Sequence, residues 1–212
     1  MSPPAPMSGR RAEAARNDER ILAAAREVFL ADPSAPIAAV AERAGVGVGA
    51  LYRRYTGKDH LLQTLCADGL HRFIAIAENA LDERVPAGEC LDLFITGIVD
   101  ADVHSLTVRL AGAFPTTPEL AALAARAHAL NERVLERARA AGAVREDVDV
   151  NDIPMIFEQL AAIRLADRER NRQLRRRYLA LHLAAIRPHP GAEPLPGTPP
   201  TDDEHRRRWA RQ

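Results

Sequence analysis

From Arg43 to Lys58 the chain carries four basic side chains (Arg43, Arg53, Arg54 and Lys58) and no acidic one. Guanidinium and ammonium groups gathered without carboxylates bind phosphate; they do not make or break bonds. Lys58 is the only lysine of the chain and opens a long apolar-striped segment. There the free N–H groups of a helix start add to the attraction for phosphate. Elsewhere the chemistry-bearing residues are scattered. Asp100, Asp102 and His104 stand close together. On a helix Asp100 and His104 share a face and Asp102 points away, so a capped or solvated helix face outweighs a metal site. His128 and Glu132 form a second four-apart pair with the same balance of readings. Structural zinc needs about four ligands, and no Cys/His cluster supplies them. Cys66 and Cys90 have no CxxC partner and read as buried, reduced thiols of a cytoplasmic protein. No GxSxG, HExxH or Gly-rich phosphate loop after a strand is found, so neither an enzyme nor a cofactor is expected.

Positioning those groups requires helices. The 212 residues are 47% apolar and carry 29 basic and 29 acidic side chains, a formal net charge of zero. That balance excludes a uniformly basic coat but allows a local basic face. Ala, Leu, Arg and Glu dominate, and β-branched residues are sparse, which favours helix. No apolar run approaches the ~18–20 residues of a membrane span, and the opening MSPPAPMSGRR lacks an apolar signal core.

The expected organisation has four parts. Residues 1–16, rich in Pro, Ala, Ser and Arg, read as a flexible basic arm. A first helix starts at Asn17 or Asp18, with Ile21, Leu22, Ala25, Val28 and Phe29 at helical spacing, and ends before Pro33. Ile37, Val40, Ala41 and Ala44 mark a second short helix closed by Gly45, and residues 47–54 a third. The fourth starts at Lys58. A fifth is expected over 88–112. A sixth opens at Thr117-Pro118-Glu119, a cap, first-turn proline and acidic first turn. Helices over 152–166 and 170–186 follow, and a Pro-rich tail begins at 188. The domains are placed at 17–62 and 63–187, and the class is all-α with nine or ten helices.

Ile37 to Tyr55 (IAAVAERAGVGVGALYRRY) has the layout of a helix-turn-helix. Two short helices meet at Gly45; small Ala41 and Ala44 let them approach, and Leu51 and Tyr55 point inward. Such a unit places the start of its second helix in the DNA major groove, and Gly47, Gly49 and Ala50 leave that tip sterically open.

These residues carry a resemblance. RILAAAREVF and VAERAGVGVGALYRRYTGKDHLL resemble the DNA-binding domain of TetR-family transcriptional regulators over residues 18–65. The resemblance implies an all-helical homodimer with a variable effector-binding domain and an operator in double-stranded DNA. It implies that Tyr52 and Lys58 meet phosphates, and that Val48, Gly49 and Ala50 face bases. It puts Arg53 and Arg54 at base- or phosphate-contacting positions, beside Arg43. Gly47, Gly57 and Pro36 stand where the family often has Ser or Thr caps. Val48 and Ala50 make no base hydrogen bonds, so sequence reading leans on Arg53, Arg54 and the arm arginines Arg10, Arg11 and Arg16. A solvated tail is the other reading of that arm.

Near the carboxyl end, MIFEQLAAI and YLALHLAAI are apolar almost all round. One face can pack on its own domain and the other needs a partner, most economically a second copy. The expected interface residues are Leu160, Ile163, Leu174, Tyr178, Leu181 and Leu183. The resemblance also implies a small-molecule pocket among helices four to eight. Candidates there are Phe73, Phe94, Leu110, Phe114, Met155 and Phe157, with Thr107, His128 and Gln159 to orient a ligand. Each of the six bulky residues also reads as plain core. The resulting expectation is a repressor released from a near-palindromic operator by a small molecule. A helical adaptor, or a regulator without an effector, is the alternative.

Overall fold

A computed structural model describes residues 9–110 and 112–207, with 10–15 and 205–206 as backbone only. Ten α-helices and one short 3-10 turn make up its regular structure, with no strand among the described residues. No helix there is long and apolar enough to cross a membrane. The chain divides into two compact units, Met1–Leu65 and Cys66–Gln212.

The first unit holds α1 (Gly9–Ala31), α2 (Ile37–Ala44), α3 (Val48–Arg54) and the start of α4 (Lys58–Ala80). Ile21, Ala25 and Phe29 of α1, Val40 and Ala41 of α2, Leu51 of α3 and Tyr55 after it are buried and supply the core. α1 begins at Gly9, so the backbone over 9–16 is helical where a flexible arm is expected. The reason is local: RRAEAAR consists of strong helix formers, with no proline between Pro6 and Pro33 to stop them. The side chains of Arg10 and Arg11, like Trp209, lie outside the described residues. α2 closes on Gly45 at φ 65°, the left-handed conformation that favours glycine. Arg20 of α1 donates to the Ala44 carbonyl at 2.7 Å, placing a cation on the negative end of α2.

The second unit contains the turn Ala87–Glu89, α5 (Cys90–Asp100), α6 (Val103–Leu110), α7 (Pro118–Ala140), α8 (Asp152–Ala161), α9 (Arg168–Ile186) and α10 (Asp202–Arg207). α5 packs on α7 and α9, α6 on α8, and α8 on α9. Their shared core includes Phe94, Ile95, Ile98, Val134, Leu135, Ile153, Phe157, Leu160, Leu179 and Leu183. Thr117 caps α7, its hydroxyl accepting from the Leu120 N–H at 3.3 Å. Asp167, three residues before the expected start, caps α9 by accepting from the N–H groups of Glu169 and Arg170. Arg137 of α7 donates to the carbonyls of Ala80, Asp82 and Val85, which closes the end of α4. The tail is tied to the loop before α8: Arg145 donates to the Glu193 carbonyl, the Leu195 N–H to Asp147, and Asn151 to Asp202.

The helix expected over 88–112 is two helices. The chain breaks at Asp102, whose φ is 51°. No Gly or Pro announces this break. Asp102 is held there by an ion pair to Arg175 of α9 at 2.7 Å, and aspartate tolerates the left-handed region better than most residues.

Gly97 of α5 lies against Ile76 of α4, and a Cβ on Gly97 would stand 2.7 Å from Ile76 Cγ2. Alanine gains about 1 kcal/mol of helix propensity over glycine, but overpacking costs about 1–3 kcal/mol. Cγ2 of a β-branched side chain has little room to retreat, so overpacking wins. Gly97→Ala is expected to lower the urea midpoint at unchanged slope; a raised midpoint would show that Ile76 yields freely.

Candidate nucleic-acid interface

α3 has two faces. Leu51 is buried on one. Val48, Gly49, Tyr52 and Arg53 are exposed on the other, Val48 at 42% and Tyr52 at 52%, and Ala50 is half-buried between them. This follows from the period of 3.6: positions 48 and 52, and 49 and 53, stack on the open side, while 51 and Tyr55 turn inward. The tip is open as well, since a Cβ on Gly47 or Gly49 would meet nothing within 4 Å. Pro36 and Gly47 precede α2 and α3 without a side-chain cap.

The four basic groups expected to meet phosphate differ in state. Arg53 is exposed and makes no hydrogen bond among the described residues. Arg54 forks onto Asp18 of α1, Nε to Oδ1 at 3.0 Å and Nη2 to Oδ2 at 2.7 Å. The Asp18 hydrogen bond, then its charge, raise the Arg54 guanidinium above its ordinary pKa. Arg43 donates from Nε to Glu27 at 2.6 Å. Lys58 donates from Nζ to the Pro33 carbonyl at 2.8 Å and lies 5.4 Å from the centre of the Phe29 ring. One of its three donors is thus used inside the unit. Asp18, Glu27 and Arg20 were invisible as partners in the sequence. Their spacing along α1, facing the ends of α2 and α3, was the only available signal.

In the second unit the expected pocket residues separate by burial. Phe94 and Leu110 are fully buried, and Phe114 and Phe157 nearly so. Phe73, Thr107, His128 and Met155 are half-buried, and Gln159 is exposed. Three aromatic rings run in edge contact, Phe73 to Phe94 at 5.2 Å and Phe94 to Phe157 at 6.3 Å. His104 continues the line, 5.9 Å from Phe157. His128 pairs with Glu132 at 3.4 Å. Among the described residues no group of three His, Cys, Asp or Glu is placed to hold a metal. Asp100 and Asp102 are instead engaged by Arg176 and Arg175. An open groove of about 540 Å³ lined by Glu78, Leu81, Asp82, Arg84, Leu130 and Arg133 involves none of the expected pocket residues.

The expected interface residues separate too. Leu160 and Leu183 belong to the unit's own core. Ile163 and Leu174 are half-buried, while Tyr178 and Leu181 stand 46% and 59% exposed. Leu174, Tyr178, Leu181 and Ala185 share one side of α9, opposite the buried Leu179 and Leu183.

Comparison with known proteins agrees with this layout. Residues 21–65 match the family described as bacterial regulatory proteins, tetR family. Residues 86–188 match the C-terminal domain of SbtR-like transcriptional regulators. Among solved structures, a TetR transcription regulatory protein from Mycobacterium vanbaalenii is 28% identical, with a TM-score of 0.57 over 84% of this chain and 99% of its own. LfrR from Mycobacterium smegmatis, solved in complex with proflavine, is 22% identical, with a TM-score of 0.59 over 79% and 96%. A gamma-butyrolactone receptor, an ArpA-like protein, is 19% identical, with a TM-score of 0.60 over 83% and 90%. No curated protein sequence matches the chain.

His104 yields a measurable consequence. It is 4% exposed, with Nδ1 3.4 Å from the Ile98 carbonyl and Nε2 3.5 Å from the Ser105 hydroxyl. Burial pushes it down from the ordinary 6.5 to about 4, with Asp102 opposing and Arg175 assisting. The folded chain therefore takes up this proton less readily than the unfolded chain. The resulting stabilisation is whole above pH 6.5 and is lost as pH falls toward 4, on the order of 3 kcal/mol in all. Urea unfolding between pH 7.5 and 4.5 is expected to show that loss, and His104→Gln to flatten it. An equally steep loss in the variant would assign it to other groups.

Proposed function

Because the chain belongs to the tetR family of bacterial regulatory proteins, DNA-binding transcription factors and not enzymes, we propose that it is a homodimeric repressor. In this reading it leaves a near-palindromic operator in double-stranded DNA when a small molecule binds its second unit. The observation that carries the DNA half is the open face of α3, where Val48, Gly49, Tyr52 and Arg53 project from a helix anchored by Leu51. Val48 offers contact to a thymine methyl, Tyr52 a hydroxyl to phosphate, and Arg53 a charged fork to phosphate or guanine. Two such helices about 34 Å apart meet successive major grooves on one side of the duplex.

The exposed side of α9 is the candidate dimer surface, with Tyr178 and Leu181 at its centre. For the effector, the half-buried Phe73, Thr107 and Met155 and the aromatic line to His104 supply an apolar lining with a few polar groups. The proflavine complex and the gamma-butyrolactone receptor among the structural neighbours favour a small organic molecule. Such a molecule shifts the protein between states only by its difference in affinity for them, typically 1–3 kcal/mol. α4, which opens at Lys58 and ends at Ala80, is the candidate lever.

Fluorescence anisotropy of the full chain against labelled duplex from upstream of its own gene, in a salt series with random competitor, tests the DNA half. Arg53→Ala is expected to weaken binding and lower the salt slope by about one, and Tyr52→Phe to weaken it at unchanged slope. Full affinity in both variants would remove α3 from the interface.

The dimer half is tested by light scattering at micromolar concentration. Leu181→Arg is expected to convert a dimeric mass to a monomeric one. A dimer persisting in that variant would move the interface elsewhere.

A further inference from the structure

α1 presents two carboxylates to the helices that address DNA. Asp18 takes both the Nε and Nη2 groups of Arg54, at 3.0 and 2.7 Å, and Glu27 takes the Nε of Arg43 at 2.6 Å. A carboxylate and a phosphate offer an arginine fork the same planar, two-oxygen geometry. In each pair α1 thus fills the place that a DNA phosphate would take. Helix geometry explains why Arg54 is caught and its neighbour is not. Arg54 stacks over half-buried Ala50, on the α1 side, whereas Arg53 stacks over exposed Gly49 and keeps its donors for solvent.

We propose that Asp18 is a positioning residue that limits DNA affinity: its carboxylate holds the Arg54 guanidinium on α1, so that duplex DNA must displace a built-in anion before Arg54 meets phosphate. This rests on the duplex-facing role of α3 proposed above. The pair is open enough to exchange, with the Arg54 side chain 61% and that of Asp18 28% exposed. Its effect falls on the sequence-independent part of binding. An arginine already neutralised by its own chain displaces fewer counterions from DNA, so Arg54 adds little to the salt slope while Asp18 holds it. Arg53 is left as the fully active cation of α3. Phosphate contacts position a protein but carry no sequence information. Restraining one therefore lowers attachment to random DNA and leaves the base-facing tip untouched.

Anisotropy of the full chain on random-sequence duplex over a salt series tests this. Asp18→Asn is expected to tighten binding about threefold to tenfold at low salt and to steepen the slope by about one. Asp18→Asn introduced into Arg54→Ala should give much less of that gain than it gives in the wild type. Asp18→Ser serves as a second variant if the amide disturbs the fold. Unchanged or weakened binding in Asp18→Asn, with the wild type bound, overturns the proposal while leaving α3 at the interface; weakening would make Asp18 a buttress that presents Arg54. A full gain in the Arg54→Ala background overturns it as well, because the effect would then be simple removal of a negative charge. A wild type that binds no duplex at low salt removes the role of α3 and this proposal together.

Discussion

Burial of Leu51 and Tyr55 is the constraint on which the rest of the first unit depends. α3 has seven residues and starts without a side-chain cap. Isolated helices shorter than ~12–15 residues are marginal in water, so α3 cannot hold its shape by itself. Fully burying a leucine side chain contributes about 1.5–3 kcal/mol, and Leu51 and Tyr55 are both buried, one turn apart. Together with Gly45 as the pivot, they fix the rotation of α3 and thereby choose which residues face outward. The open face is a consequence of what is buried, and its own side chains do nothing to hold it. This explains why the tip tolerates Gly47 and Gly49, poor helix formers beside which a Cβ would meet open space.

In the second unit the comparable constraint is the break at Asp102. Arg175 joins three pieces of chain: its Nη1 donates to Asp102 between α5 and α6, its Nη2 to the Ile163 carbonyl after α8, and it sits on α9. Its side chain is only 11% exposed. Removing Asp102 would leave that enclosed guanidinium without its carboxylate, which is destabilising. The break also turns α6 so that His104 reaches Phe157 of α8. One ion pair therefore sets where the polar groups of the second unit stand relative to its aromatic line.

Much of this was legible in the sequence, and the missing parts share a cause. The all-α class, the pivot at Gly45, the inward Leu51 and Tyr55, and the Thr117-Pro118-Glu119 helix start rest on local rules: periodicity, capping and turn chemistry. The features that escaped depend on residues far apart in the chain. Asp102 bends the backbone because Arg175 is there to hold it. Leu160 and Leu183 read as surface for a partner but are taken by the unit's own core, since an almost uniformly apolar helix does not declare which side meets its own domain. The early start of α1 has a local cause instead: the alanine- and arginine-rich stretch lacks apolar periodicity but has high helix propensity. The basic run from Arg43 to Lys58 was visible, but its three internal engagements, with Glu27, Asp18 and the Pro33 carbonyl, were not.

Those engagements change what the charge pattern means. Read along the chain, the segment is purely basic. Folded, α1 returns a carboxylate to each of two arginines, so the positive charge left uncommitted on α3 narrows to Arg53. A seven-residue helix carrying several unopposed cations would be drawn to any duplex, since attraction to phosphate is independent of sequence and acts at long range. Discrimination depends on the difference between correct and random sites, and random sites vastly outnumber operators. Val48 and Ala50 offer bases no hydrogen bond, so in the reading proposed above the base-reading contribution of α3 rests on Arg53 and on apolar contact. A small specific gain is useful only if the non-specific background is small as well. The acids of α1 therefore belong to the same design as the apolar tip, and the neutral charge of the whole chain has a local counterpart in the fold of its DNA-binding unit.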